Sequence, residues 1–163
     1  MKALVSAIDA VNGAIARAVR WLALAMVMAT LAVVVLRYGF AVGAIPLQEA
    51  VMYMHGSLFL AGIAYGVQQN THVRVDLVYS RLSPSRQRLV NKLGHGLFLL
   101  PVAAFIVYTS VPYAAASWRV LEGSSEVGGI PAVFLLKSLI PLMGVLLFLQ
   151  GVAELCRAPG DAD

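Results

Sequence analysis

The sequence predicts an all-α membrane protein with four transmembrane helices and a short amphipathic interfacial helix between the second and the third. Three observations lead to this fold class. Of the 163 residues, 60% are apolar and only 12% are charged, whereas a soluble domain carries about 25% charged residues. Four apolar segments are long enough, with their flanks, to cross a bilayer core that needs roughly 20 helical residues. Basic residues also concentrate on alternate connecting segments, as they do in membrane proteins.

Each apolar segment predicts one span. Unpaired backbone groups are not tolerated in lipid, so each span should be a helix. The predicted spans are about residues 17–41, 48–70, 86–118 and 131–155. Asp9 and Asn12 interrupt any early apolar core, so the first segment is predicted to be a retained helix rather than a cleaved signal. We find no internal repeat or low-complexity linker and expect residues 1–163 to form a single domain.

Proline and glycine mark the helix ends and the expected kinks. Gly39, Gly43 and Pro46 separate the first two spans, and Ser83-Pro84 offers an N-cap and a first-turn proline for the third. Kinks are expected at three prolines that lie inside predicted helices. These are Pro101, Pro112 and Pro141.

The segment between the second and third spans has one apolar helical face. Val75, Val78, Tyr79 and Leu82 follow the spacing i, i+3, i+4 and i+7. This pattern predicts a short amphipathic helix lying in the membrane interface.

Basic residues predict the orientation of the chain. The termini and the second loop carry nine of them, namely Lys2, Arg17, Arg20, Arg74, Arg81, Arg86, Arg88, Lys92 and Arg157. The other two loops carry only Arg37 and Arg119. Under the positive-inside rule, both termini should be cytoplasmic. Membrane topology accounts for the net charge of +4 without a nucleic-acid partner.

Histidines would be the ligands of a haem held between membrane helices. His55 lies deep in its span, His95 lies near the cytoplasmic boundary, and His72 lies in a loop. Two axial ligands need nearly equal depth, so these residues are better explained by hydrogen bonds between helices. The single Cys156 excludes an internal disulfide. We therefore expect no cofactor, no metal site and no catalytic residues.

Charged residues at the extracytoplasmic side of the spans predict ion pairs. Glu49 begins the second helix and Lys137 lies inside the fourth. A charge near lipid is costly unless it has a partner. We expect Glu49 to pair with Lys137 or with Arg37, as a structural contact between helices rather than a proton relay.

Two further patterns concern contacts. Gly62-x-x-x-Gly66 permits close approach of another helix, and we expect it to serve packing within the chain. More polar residues occur in the second and third spans than a four-helix core needs, so some should face another protein. They are Ser57, Tyr65, Gln68, Gln69, His95, Tyr108, Thr109 and Ser110.

Several of these residues together resemble a known family. Arg37-Tyr38-Gly39-Phe40 closes the first span, Glu49 opens the second, and the sequence from His72 through Arg74 to Asp76 follows the second. This series resembles the small membrane subunit of tripartite ATP-independent periplasmic (TRAP) transporters, the DctQ-like family, over about residues 15–155. The sequence departs from the family at 47–50, where Leu-Gln-Glu-Ala stands in place of a tryptophan and two adjacent acids.

The resemblance implies a function that depends on partners. A large, DctM-like membrane subunit would carry a sodium-coupled transport path, and a soluble periplasmic protein would deliver an organic acid. The small subunit would act as a scaffold in the bacterial inner membrane and offer part of the docking surface. Arg119, Glu122 and Glu126, at the loop before the fourth span, are the docking candidates. His72, Arg74 and Asp76 would belong to structural contacts or to the interface.

Two other functions compete with this one. A haem- or quinone-associated anchor of a respiratory enzyme would also be a small helical membrane protein. A homodimeric multidrug exporter usually needs an acid embedded in its first span, and this span has none.

Overall fold

A computed structural model describes residues 1–71, 79 and 81–157 of the chain, all of whose regular elements are helices. The helices are α1 (Lys2–Gly39), α2 (Ile45–Gln68), α3 (Pro84–Gly94), α4 (Leu100–Arg119) and α5 (Val133–Cys156). A π-helical turn, His95–Leu99, joins α3 to α4 in one continuous helix.

Four helices are long and apolar enough to cross a membrane, which confirms the predicted fold class. Three of them begin and end within three residues of the predicted spans. The first differs because it starts at Lys2, well before the predicted membrane boundary near residue 17. The predicted interfacial helix falls mostly on residues outside the described part of the chain, as do His72, Arg74 and Asp76, so these predictions stay open.

The helices pack in a row in the order α1, α2, α5, α4, which we call the helix row. α1 packs mainly along α2, α2 also packs against α5, and α5 packs against α4. α4 makes no more than marginal contact with α1 or α2. The row is closed only where α1 also meets α5. Because each helix has few neighbours, much of its apolar surface stays exposed.

Small residues set the close contacts inside the row. A Cβ added at Gly144 of α5 would lie 2.8 Å from Val107 Cγ2, and one at Gly151 would lie 2.9 Å from Leu100 Cδ2. Gly56 of α2 similarly leaves room for Leu136. A Cβ at Gly62 would meet no atom within 4 Å. The prediction that Gly62 serves packing within the chain is therefore wrong, because its side of α2 faces away from the neighbouring helices.

The π-helical turn is explained by the proline that follows it, Pro101. Pro101 has no N–H to donate to the carbonyl of Leu97, and its ring would clash with that carbonyl in a regular α-helix. A wider turn over His95–Leu99 removes this conflict without ending the helix. α4 continues without interruption past Pro112, and α5 continues without interruption past Pro141.

Three helices end on a non-glycine residue in the left-handed backbone region. Ala41 (φ 56°) follows α1, Asn70 (φ 53°) follows α2, and Leu121 (φ 46°) follows α4. This conformation ends a helix by turning free carbonyls toward N–H groups further along the chain. Glu122 N–H, for example, donates to the Ser117 carbonyl over 3.1 Å.

Candidate functional site

Glu49 organises one end of the helix row, the loop end, which carries residues 40–44 and 120–132. Its carboxylate lies in the first turns of α2 and is half-buried. The Ser124 hydroxyl donates to one carboxylate oxygen, and the Ile130 N–H donates to the other over 2.5 Å. Hydrogen bonds to a carboxylate are stronger than bonds between neutral groups. Glu49 therefore holds the loop between α4 and α5 against the start of α2.

Two glycines allow this loop to approach Glu49. A Cβ at Gly129 would lie 2.7 Å from Glu49 Oε1, so only glycine fits there without a shift. Gly128 has φ +76°, which a glycine adopts without steric cost. The Ser124 hydroxyl also accepts the Glu126 N–H over 3.0 Å. The sequence 124–130 thus folds into a compact turn around one carboxylate.

Lys137 forms a second contact at the loop end. Its Nζ lies 2.6 and 2.7 Å from the two carboxylate oxygens of Glu122. It also lies 4.4 Å from the centre of the Tyr113 ring, a cation–π distance. The hydrogen bond from Lys137 lowers the pKa of Glu122 below its ordinary value. The lysine ties the end of α4 to the first turns of α5.

The partners predicted for Glu49 are wrong. Neither Lys137 nor Arg37 pairs with it in the described structure, because the loop between α4 and α5 lies against the start of α2 and supplies other donors. Backbone N–H and hydroxyl donors satisfy Glu49, and Glu122, in the loop just after α4, pairs with Lys137. Arg37, in the last turn of α1, is exposed.

The three docking candidates are in different situations. Arg119 and Glu126 are exposed at the loop end. Glu122 is half-buried and already bound to Lys137. The loop also exposes apolar side chains, with Val127 91% exposed. The groups free to meet another molecule are therefore Arg119, Glu126 and the exposed side chain of Val127.

The opposite end of the row, the terminal end, carries the start of α1 and the end of α5. Gln150 of α5 is fully buried there, and Asn12 of α1 is 2% exposed. The Asn12 amide donates to Gln150 Oε1 over 2.6 Å, and the Gln150 amide donates to Asp9 and to Glu154 over 3.1 and 2.9 Å. We call Asp9, Asn12, Gln150, Glu154 and Arg157 the terminal network.

Arg157 completes the terminal network. Its guanidinium donates to both oxygens of Asp9, over 3.0 and 3.1 Å, and to Glu154 over 2.8 Å. The hydrogen bond to Glu154 is the main reason why the pKa of Arg157 is raised. Residues nearly a whole chain length apart are thus joined. Sequence reasoning missed this network, although Asn12, Gln150 and Glu154 stand out as polar residues in otherwise apolar helices.

Three of the eight polar residues expected to face another protein form hydrogen bonds within the chain instead. The Gln68 amide donates to the Asp9 carbonyl, and the hydroxyls of Thr109 and Ser110 donate to carbonyls one turn earlier in α4. Each of these three side chains donates a hydrogen bond within the chain. Tyr108 is instead 80% exposed.

His55 and His95, the two histidines in the described part of the chain, lie in different helices. His55 is exposed on α2 and its ring stacks near that of Phe59, with centroids 6.3 Å apart. His95 lies in the π-helical turn of the third span. Within the described ranges, no group of three His, Cys, Asp or Glu side chains is placed to hold a metal ion.

Comparison with protein families yields a match to a transporter family. A family model described as "Tripartite ATP-independent periplasmic transporters, DctQ component" matches residues 26–159. No curated protein and no solved structure matches the chain. The matched region contains the last three spans, residues 26–39 of α1 and the whole loop end.

Proposed function

Because the chain belongs to the DctQ component family of TRAP transporters, we propose that it is the scaffolding membrane subunit of a sodium-coupled organic acid transporter. The large membrane subunit would carry the transport path, and a periplasmic binding protein would deliver the acid. Members of this family are transporter components. This supports a role in transport rather than a role as the membrane anchor of a respiratory enzyme.

The observation that carries the proposal is the helix row. A transport path through this chain would need polar groups lining a cavity at mid-membrane depth. The described hydrogen bonds and ion pairs between helices instead lie at the loop end and the terminal end, where they fasten helices to one another. α4 and α1 keep broad exposed apolar faces. A row fixed at both ends and open on its faces suits a rigid support for a larger membrane protein.

The loop end is the part we assign to docking of the periplasmic protein. Glu49 and Lys137 fix the loop between α4 and α5, so its free groups are held in a defined position. Arg119 and Glu126 offer both signs of charge beside the exposed Val127. This assignment requires the loop end to be periplasmic and both termini to be cytoplasmic in the inner membrane, as the basic residues predict.

Reconstitution tests the function. Uptake of an organic acid into proteoliposomes should require this chain, the large subunit, the binding protein and an inward sodium gradient. Candidate acids can be screened by the thermal shift of the binding protein. The proposal is wrong if the large subunit transports at full rate alone, or if this chain transports by itself. A reporter enzyme that is active only in the cytoplasm should be active when it is fused to either terminus.

A further inference from the structure

One face of α2 is exposed over about three turns in the middle of the helix. Met52, His55, Phe59 and Gly62 follow the spacing i, i+3, i+7 and i+10, which places them on the same side of a helix. Met52 is 50% exposed, Phe59 is 63% exposed and His55 is also exposed. A Cβ at Gly62 would meet nothing within 4 Å. We call these four residues the α2 face.

His55 makes contact between this face and lipid unfavourable. It lies ten residues after Ile45, or about 15 Å along the axis at 1.5 Å per residue, which is half of a hydrocarbon core of about 30 Å. An imidazole always has at least one N–H to donate. Acyl chains offer no hydrogen-bond partner, so an exposed imidazole at this depth is costly.

Other exposed polar groups in the spans avoid this cost. The Thr30 hydroxyl donates to the Met26 carbonyl over 2.8 Å, and the Thr109 hydroxyl donates to the Phe105 carbonyl over 2.9 Å. A histidine side chain is not suited to such a bond to its own helix. Tyr108 of α4 is another exposed polar side chain that could mark a contact with a partner. A phenol has a larger apolar part, however, and tolerates lipid better than an imidazole.

Gly62 adds a geometric argument. Membrane helices approach closely where small residues leave a notch, and that close packing drives their association. Gly62 provides such a notch on the same face as His55, and no neighbouring helix of the chain fills it. The face therefore combines a hydrogen-bonding group with a contact surface for a second helix.

We propose that the α2 face is the contact surface for a transmembrane helix of the large subunit, which places a polar group opposite His55 and packs into the notch at Gly62. This inference rests on the proposed function, because that function supplies a membrane partner.

A second copy of this chain fits the face less well. Two copies in one membrane would place their α2 helices in parallel. A crossing of about 40° at Gly62 would carry the two His55 positions, roughly 10 Å further along each axis, about 7 Å apart sideways. A crossing at His55 would separate the two Gly62 notches in the same way. A different helix, with its own spacing of polar and small residues, satisfies both features together.

Photo-cross-linking tests the surface in native membranes. A photoreactive amino acid is placed at Met52 or Phe59 on the α2 face, at Val27 on α1, and at Phe105 beside Tyr108 on α4. All four positions are exposed. Met52 and Phe59 should give a product with the mass of this chain plus the large subunit, at a yield several times that from Val27 or Phe105.

Each other result has a definite meaning. Products from Val27 or Phe105 at equal or higher yield would overturn the α2 face while leaving the proposed function intact. A product of twice this chain's mass at Phe59 would show that a second copy occupies the face. No product at Met52 or Phe59 would mean that lipid covers it. If the unmodified chain fails to co-purify with the large subunit, the proposed function itself is wrong.

Two substitutions check the chemistry. Gly62→Leu should abolish co-purification of the large subunit without destabilising the isolated chain, because the added side chain meets open space. Gly94→Leu, at another open helical glycine, is the matched control and should have no effect. His55→Leu should weaken the complex about three- to twentyfold, the range given by hydrogen bonds between membrane helices. Wild-type affinity for both His55→Leu and Gly62→Leu would overturn the proposal.

Discussion

The loop end and the terminal end are both fastened by polar groups, but the groups differ in kind and in burial. At the loop end, half-buried carboxylates bind backbone, hydroxyl and lysine donors supplied by one loop and the helix after it. At the terminal end, two buried amides join the first helix to the last, and ions close the network only at its edge. A buried amide has no access to replacement water, so the terminal end should be the more sensitive to substitution.

Gln150→Leu should have the largest effect. It keeps the side-chain volume but leaves the buried Asn12 amide without its acceptor, which should lower the free energy of unfolding by about 2 kcal/mol. The double variant Asn12→Leu/Gln150→Leu should recover most of that loss, because both polar partners are gone. Thermal unfolding in detergent measures both. The control is Gln69→Leu, which removes an exposed amide. If the single variant melts like the wild type, the network is not a buried one.

Glu49→Gln should have the next largest effect. Replacing the carboxylate removes two charge-assisted hydrogen bonds at a half-buried site, for a loss of about 1–2 kcal/mol. Backbone amides of residues 124–130 should exchange with deuterium faster, while those near Gln150 should not change. The matched control is Glu126→Gln, the same change at an exposed acid of the same loop. Equal exchange in the two variants would show that Glu49 does not hold the loop.

The Glu122–Lys137 contact should appear as a pH dependence. The pKa of Glu122 is lower in the folded chain than its ordinary value of 4.5, so the contact stabilises the fold fully above that value. Its contribution is lost as pH falls through the lowered pKa, where the folded carboxylate takes up a proton. The melting temperature of Glu122→Gln should therefore lie below that of the wild type at pH 7, and the difference should shrink below about pH 4.5. A difference that stays constant down to pH 3 would contradict the assignment.

Leu121→Gly should have the smallest effect and the opposite sign. A leucine at φ 46° is in a backbone region that costs L residues about 1–2 kcal/mol. Glycine removes that cost but has more freedom in the unfolded chain, so the net gain should be under about 1 kcal/mol. Leu121 is 64% exposed, so little packing is lost. The control, Val120→Gly at φ −103°, should only destabilise. Destabilisation by Leu121→Gly would mean that the leucine side chain makes a stabilising contact.

The sequence predicted the parts of the fold that depend on composition along the chain. Spanning helices need only length and apolar character, and the four were predicted correctly. The partner of Glu49 was not, because it depends on how Gly128 and Gly129 direct the loop. A carboxylate at the start of a helix accepts whichever donor comes closest, and linear position does not give that distance.

The terminal network was missed for a related reason. Asp9 and Asn12 were noted only as interruptions of an apolar segment, and Gln150 was treated as part of a span. Their pairing requires the early part of α1 to lie beside the end of α5. Sequence separation conceals such a contact, although uncharged amides within apolar helices usually find hydrogen-bond partners in the fold.

The order of helices in the row also bears on how the chain is made. Ribosomes deliver the spans in the order α1, α2, then the third span, then α5. α1 and α2 are sequence neighbours and contact each other extensively, so they form a hairpin as soon as the second has entered the membrane. The third span has its main contacts with α5, which is synthesised after it. The third span must therefore wait in lipid, or beside an insertion factor, until α5 arrives between it and α2. Arg157 can meet Asp9 only after α5 has entered the membrane, so the contact between the early part of α1 and the end of α5 forms late in assembly.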